Sequence, residues 1–392
     1  MPGFDGLARV AGVIRDLTDA EARRILHAKW GMTDPDVLPA WVAEMDYAVA
    51  PVITRALTEA VAGGGFGYPW FGIGGALGAA YAGFAQRHFG HAVDPDLVIP
   101  TADVTQGVRL AVDTLSEPGP IALFVPCYPP LLDIPEVTGR ERIDVVLDPD
   151  AAAAQMDLAG LERALRAGAR TLILIQPHNP WGRAFTRPEL EAVRDLVTAY
   201  GARVISDEIH APLVLPGAAQ VPYLSLPGTA DHAVAVVAAS KAFNIAGLKC
   251  AQIVCGDTAT RDRLLDVPIP RNDSWSPLGV TASVAAYTEG DAWLAALVAR
   301  LDGQRRLIGD LLAEHLPEAR MRPLEATFLA WVDLRSYDVE DPAALALAKG
   351  RVRVSPGHEF HPGLPGHVRI NLATSPERLA EVVRRLATAL AR

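Results

Sequence analysis

Lys241 and Lys249 stand eight residues apart in "AASKAFNIAGLKC" (238–250), and they are two of only four lysines among the chain's 36 Lys and Arg residues. The others are Lys29 and Lys349. A surface built so heavily on arginine reserves lysine for chemistry that guanidinium cannot do: an amine can lose its proton and condense with a carbonyl. Three further polar residues follow short apolar runs. Tyr128 comes after "IALFV" (121–125), Asn179 after "TLILI" (171–175) and Asp207 after "ARVIS" (202–206), while Lys241 itself follows "AVAVVAA" (233–239). Each alone has an ordinary explanation, as a cap, a turn former or a surface lysine. Their ordered recurrence after successive apolar runs is what carries the argument.

An imine-forming amine, a carboxylate for a ring nitrogen, an amide donor and an aromatic face are the needs of pyridoxal phosphate. On this reading Lys241 forms the imine and, once released, is the base at a substrate α-carbon. Asp207 keeps the ring nitrogen protonated. Asn179 and His210 donate to the ring's phenolate oxygen, and Tyr128 stacks on its face. The phosphate calls for backbone N–H groups at a helix start. "TADVTQGVRLAVDTL" (101–115) offers Asp103, Val104 and Thr105 there, with the Asp103 backbone rather than its carboxylate toward the anion. Lys249 adds a second positive charge for it.

The elements that must position these residues follow from hydropathy. Wholly apolar runs, "CAQIVC" (250–255) among them, alternate with helical stretches such as "RPELEAVRDLVTAYG" (187–201). That pattern predicts strands buried on both faces of a mostly parallel sheet, with ligands outside the strands' carboxyl ends. Thr18 and Glu21 read as a capping box opening a helix toward Trp30, and a helix is expected from about Pro51 to Val61. A long helix over 291–315 and the runs "TFLAWVDL", "VRVSPG" and "VRINLAT" predict a smaller α+β unit at the C-terminal end. The expected division is an N-terminal segment 1–46 packing with the small domain, a large domain 47–285 and a small domain 286–392. No apolar stretch reaches membrane-spanning length, and the charged N-terminus lacks a signal-peptide core. Cys127, Cys250 and Cys255 make neither a disulfide framework nor a zinc spacing. A net charge of −10 without a basic cluster argues against nucleic acid. A cytoplasmic protein is expected.

The order "PHNPWGR" (177–183), "SDEIH" (206–210) and "SKAFNIAGLK" (240–249) resembles the class I/II aminotransferase superfamily of pyridoxal-phosphate enzymes, over nearly the whole chain. The resemblance implies the aspartate-aminotransferase-like fold type I: a large domain with a mostly parallel seven-stranded sheet and a smaller α+β domain. It places Asn179, Asp207, the Schiff-base Lys241 and Lys249 in the cofactor site. It gives Arg369, in "HVRINLAT", the grip on the substrate α-carboxylate. "KWG" (29–31), "LPAWVAEMDYAVAP" (38–51), "GYPW" (67–70), "PCYPP" (126–130) and "DEIH" resemble the MalY/PatB-type cystathionine β-lyases.

From that subgroup it follows that Tyr68, in the catalytic set with Lys241, reaches across a homodimer interface to the partner's phosphate. The Trp41–Asp46 segment lines the substrate entrance, with the Val42–Ala43 backbone and Asn179 near the substrate carboxylate. The sequence departs from the pattern at "TADVTQG" and at Ala238, where many aminotransferases have a phosphate-binding Ser. Ser240 is then the nearby hydroxyl. The implied reaction is β-elimination from L-cystathionine or a related cysteine S-conjugate, giving thiol, pyruvate and ammonia. Transamination by the same residues is the alternative, and a cofactor-binding regulator acting through a protein partner is a third.

Overall fold

The computed structural model describes residues 13–72, 74–148, 150 and 155–391. Residues 1–12 of the expected N-terminal segment, and the short alanine run 151–154, lie outside the described residues. The capping box forms as expected: Thr18 Oγ1 accepts the Glu21 N–H at 3.3 Å and Glu21 Oε2 accepts the Thr18 N–H at 2.9 Å. The helix it opens, Asp19–Ile25, stops short of Trp30, and the chain continues as turns. Strand β1 (Leu38–Pro39) follows. Helix Pro51–Ala62 starts on a proline whose missing N–H would have had no partner in the first turn.

The main sheet contains β2 (Val98–Thr101), β3 (Ile121–Val125), β4 (Arg142–Val146), β5 (Thr171–Ile175), β6 (Arg203–Asp207), β7 (Ala233–Val237) and β8 (Ala251–Cys255), in the order β2-β8-β7-β6-β5-β3-β4. The pairs β3–β4, β3–β5, β5–β6 and β6–β7 are parallel, and β7–β8 and β2–β8 antiparallel. The expected seven-stranded, mostly parallel sheet is therefore present. Its strands read as continuous apolar runs because both faces are covered: Ile121, Leu123 and Val125 of β3 enter one core and Ala122 and Phe124 the other. β5 divides its residues in the same alternating way. β4 was not among the expected strands. It lies at the sheet edge and carries Arg142 and Asp144, so it has no apolar run to read.

Helix Val104–Leu115 lies against the sheet through Gly107, where a Cβ would stand 2.8 Å from Val236 Cγ1 and 3.0 Å from Thr101 Cγ2. That close approach brings the helix start to the carboxyl ends of the strands. The chain order reverses on either side of β3, which pairs with β4 on one flank and β5 on the other. In such sheets the crevice at the reversal is where ligands sit.

Helix Asp291–His315 has the expected bounds. Beyond it, β9 (Arg320–Met321), β10 (Leu329–Asp333), β12 (Ser355–Pro356) and β13 (His367–Asn371) form an antiparallel sheet in the order β12-β13-β10-β9. β11 (Val352–Arg353) pairs in parallel with β1. This pairing makes a separate two-stranded sheet, and the Asn371 N–H of β13, donating to the Ala40 carbonyl at 2.9 Å, ties the N-terminal segment to the C-terminal sheet. Residues 41–46 then run between the two sheets as a strap.

Candidate active site

Tyr128 follows β3, Asn179 follows β5, Asp207 is the last residue of β6 and Lys241 follows β7, so parallel strands deliver all four to one edge. They line a single cavity with Ala43, Asp103, Val104, Thr105, His210, Ser240 and Lys249. Eleven of the fourteen residues expected at the site thus share one cavity. Arg369 borders it, donating from Nη1 to Asn179 Oδ1 at 3.1 Å. Val42 stands one residue from the Ala43 lining. Tyr68 is not brought to this cavity: it is 94% exposed on the 63–72 loop, beside the exposed Phe66, Trp70 and Phe71.

The electrostatics follow from burial. The Lys241 amine donates to the Ala43 carbonyl at 3.1 Å. Burial, and after it the Arg369 charge, lower its pKa to about 8. Asp207 accepts one backbone bond, from Ile209 N at 3.1 Å, and burial raises its pKa to about 7 against that bond and the charge of Lys241. A carboxyl so desolvated, with one neutral donor, has a place for a cationic N–H such as a pyridinium.

Burial also lowers the His210 pKa to about 3, helped by the Lys241 and Arg369 charges, so its ring is neutral, with Nδ1 buried and without a partner among the described residues. Because Asn179 Oδ1 accepts from Arg369, its NH₂ group is left as the donor. Tyr128 is pushed up by burial and stays a neutral phenol.

Arg369 comes from β13 and is 5% exposed. Its contacts are neutral: Asn179 Oδ1, the Trp41 carbonyl at 3.0 Å, Ser355 Oγ at 3.3 Å, and the Phe360 ring, whose centroid lies 4.7 Å from the guanidinium carbon. Burial lowers its pKa to about 10. A buried guanidinium with only neutral acceptors is suited to a carboxylate that arrives with the ligand.

At the helix start the arrangement differs in detail from the sequence reading. The Asp103 carboxylate caps the helix, accepting from Gln106 N at 2.8 Å, and also accepts from Lys249 Nζ at 2.8 Å. Burial opposes ionisation of Asp103, but these donors outweigh it and the pKa is lowered. Lys249 is therefore engaged with Asp103, and its ammonium stays beside the N-terminus of Val104–Leu115. The Val104–Thr105 backbone, Ser240 and Lys249 make a cradle with the donor chemistry of a phosphate site. The groups present fit pyridoxal phosphate: an amine, a ring-nitrogen carboxylate, phenolate donors, a flat ring and an anion cradle.

Sequence reasoning missed the residues that hold the strap. Asn244, at φ +58°, accepts the Met45 N–H and donates to the Met45 carbonyl, both at 2.9 Å. Asn371 Nδ2 donates to the carbonyls of Val42 and Glu44, each at 2.7 Å. Each of these bonds reaches backbone at least 199 residues away in sequence, so no local pattern announces it.

Residues 41–386 match the family described as aminotransferase class I and II. The chain belongs to this family. Among its class I and II relatives, cystathionine beta-lyase from Corynebacterium glutamicum is 34% identical, over 96% of this chain and 99% of its own length. Cystathionine beta-lyase PatB from Bacillus subtilis (strain 168) is 34% identical, over 92% and 96%. The crystal structure of cystalysin from Treponema denticola, which contains a pyridoxal 5'-phosphate cofactor, matches at 26% identity and a TM-score of 0.89, over 96% of this chain and 99% of that one. The fold of this chain is the class I and II aminotransferase fold. No helix among the described residues is long and apolar enough to cross a membrane.

The raised Asp207 pKa has a measurable consequence. Because the folded value of about 7 lies above the ordinary 3.8, the folded chain binds the more protons between these values. The Asp207 contribution to stability is therefore whole below about pH 4 and is lost as pH rises through 7. The cofactor-free protein should lose melting temperature from pH 5 to pH 8 relative to Asp207→Asn, which lacks this titration. Parallel thermal melts of the two proteins check the sign.

Proposed function

We propose that this chain is a pyridoxal-phosphate-dependent carbon–sulfur β-lyase, cleaving L-cystathionine or a related cysteine S-conjugate to a thiol, pyruvate and ammonia. The observation that carries it is the buried Lys241 amine, its pKa near 8, in one cavity with Asp207 and beside Arg369. The likeness to chains named cystathionine beta-lyase, 34% identical over nearly their full length, supports the choice of reaction.

When bound, pyridoxal phosphate supplies an electron sink joined to the substrate nitrogen, which makes the α-proton acidic. The chain's own groups do the rest. Arg369 takes the substrate α-carboxylate through its two Nη groups, exchanging neutral acceptors for a charged one. Asn179 and the Val42–Ala43 backbone complete the carboxylate's surroundings. With the cofactor bound, Asp207 would hold a proton on the ring nitrogen, Asn179 and His210 would donate to the ring oxygen, and Tyr128 would stack on the ring. Val104, Thr105, Ser240 and Lys249 hold the phosphate, with Asp103 fixing the helix end and the Lys249 ammonium. Lys241 Nζ, near neutral pH already partly unprotonated, removes the α-proton. The β-carbon–sulfur bond breaks with its electron pair going to sulfur, which takes a proton and leaves as the thiol, and water hydrolyses the released enamine to pyruvate and ammonia.

The functional unit is proposed to be a homodimer in which Tyr68 reaches the phosphate of the other copy. The exposure of Tyr68 together with Phe66, Trp70 and Ile269 supports this. Incubation with L-cystathionine or an S-alkyl-cysteine, with cofactor and no keto acid, should release thiol and pyruvate in equal amounts over many turnovers. Turnover only after a keto acid is added would instead make the chain an aminotransferase. Tyr68→Phe should weaken cofactor retention several-fold; unaltered retention would count against the cross-subunit contact.

A further inference from the structure

Lys29, the first residue of "KWG", has no part in the site as described, yet its side chain is 0% exposed. Its polar groups converge on the strap. The Lys29 N–H donates to Glu44 Oε2 at 3.0 Å, and its carbonyl accepts from Trp41 Nε1 at 3.1 Å. Nζ donates to the Glu44 carbonyl at 3.2 Å and pairs with Asp46 Oδ1 at 2.9 Å. That same Asp46 oxygen accepts Trp30 Nε1 at 2.8 Å, and Arg378 Nη1 stands 3.6 Å from the other. A buried ion pair adds little net stability over apolar groups of the same volume, because desolvation offsets the attraction. It does fix geometry, since neither charge can move away without leaving the other uncompensated.

The strap so fixed faces the reactive groups. The carbonyls from residue 41 to residue 45 each accept a side-chain donor: Trp41 from Arg369, Val42 from Asn371, Ala43 from Lys241, Glu44 from Lys29 and Asn371, and Met45 from Asn244. We propose that Lys29 is a positioning residue for the reaction: through Glu44, Trp41 and Asp46 it sets the strap whose carbonyls orient the Arg369 guanidinium and the Lys241 amine toward an amino-acid substrate. This rests on the assignment of Lys241 and Arg369 to the substrate, and not on which reaction follows.

The test uses the cofactor-loaded enzyme. Lys29→Met removes the charge at similar volume, and the double variant Lys29→Met/Asp46→Asn leaves no unpaired buried charge if the single variant fails to fold. Asn371→Ala loosens the strap from the opposite side. Amino-acid binding is read from the change in cofactor absorbance as L-cystathionine is added, and cofactor retention by dialysis. All variants that fold should bind the amino acid at least about tenfold more weakly, a change of about 1.4 kcal/mol, with cofactor retention unaltered. Wild-type amino-acid affinity in a folded Lys29 variant overturns the proposal. So does a parallel loss of cofactor, which would mean that Lys29 supports the fold at large. The absorbance signal arises whichever reaction follows, so a wild-type enzyme that only transaminates would sink the lyase reading and leave this test intact.

Discussion

Lys241→Ala should abolish turnover, with a fall of at least about 10³-fold, in line with the loss of a positioned general base that is also the point of covalent attachment. The variant keeps Asp207, Tyr128, Asn179 and the phosphate cradle, so it should still take up pyridoxal phosphate. Its cofactor should show the spectrum of the free aldehyde instead of the band of a lysine imine. Dialysis, an absorbance scan and a pyruvate assay separate the two effects. Retained turnover would remove Lys241 from the chemistry, and failure to bind cofactor would make it chiefly an anchor. Lys241→Arg makes the sharper comparison: the charge is kept, and the guanidinium can neither condense nor act as a base. It should be as inactive as the alanine variant.

The second large effect is expected at Arg369. Its guanidinium is buried, holds neutral acceptors and meets no carboxylate side chain within ion-pair distance among the described residues. Arg369→Lys keeps a charge and loses the planar fork. Losing one of two charge-assisted bonds costs about 1.5–3 kcal/mol, so kcat/KM should fall roughly ten- to two-hundred-fold. The change should sit mainly in KM, and the cofactor band should persist without substrate. Steady-state kinetics on L-cystathionine check both. An unchanged KM would show that the carboxylate is held elsewhere.

Much of this site was readable from the chain because its residues stand at the ends of strands that are apolar throughout. β3 and β5 have the bounds of their apolar runs, and Asp207 and Lys241 fall at the carboxyl ends of β6 and β7. A strand buried on both faces leaves a simple signal, and the polar residue closing it stands out. β4 left none, because an edge strand can carry charged residues, here Arg142 paired with Asp144 at 2.9 Å, that interrupt an apolar run. What holds the strap was illegible for another reason. Its partners Lys29, Asn244 and Asn371 are far apart in sequence, and each is an ordinary polar residue until the fold brings them together. The engagement of Lys249 with Asp103 was also hidden, because a sequence shows two opposite charges but not that they are 2.8 Å apart.

The neutral surroundings of Arg369 bear on timing. Its uncompensated positive charge is one of the influences that keep the Lys241 amine a weaker base than an ordinary lysine. A carboxylate settling on Arg369 cancels part of that repulsion, so the Lys241 amine, once released from the imine, is a stronger base with a substrate on Arg369 than in the cofactor-free chain. An amine lacking the carboxylate would leave the repulsion in place even if it reached the cavity. The acid group of the amino acid thus does more than anchor the molecule: it tells the base that the right guest is present.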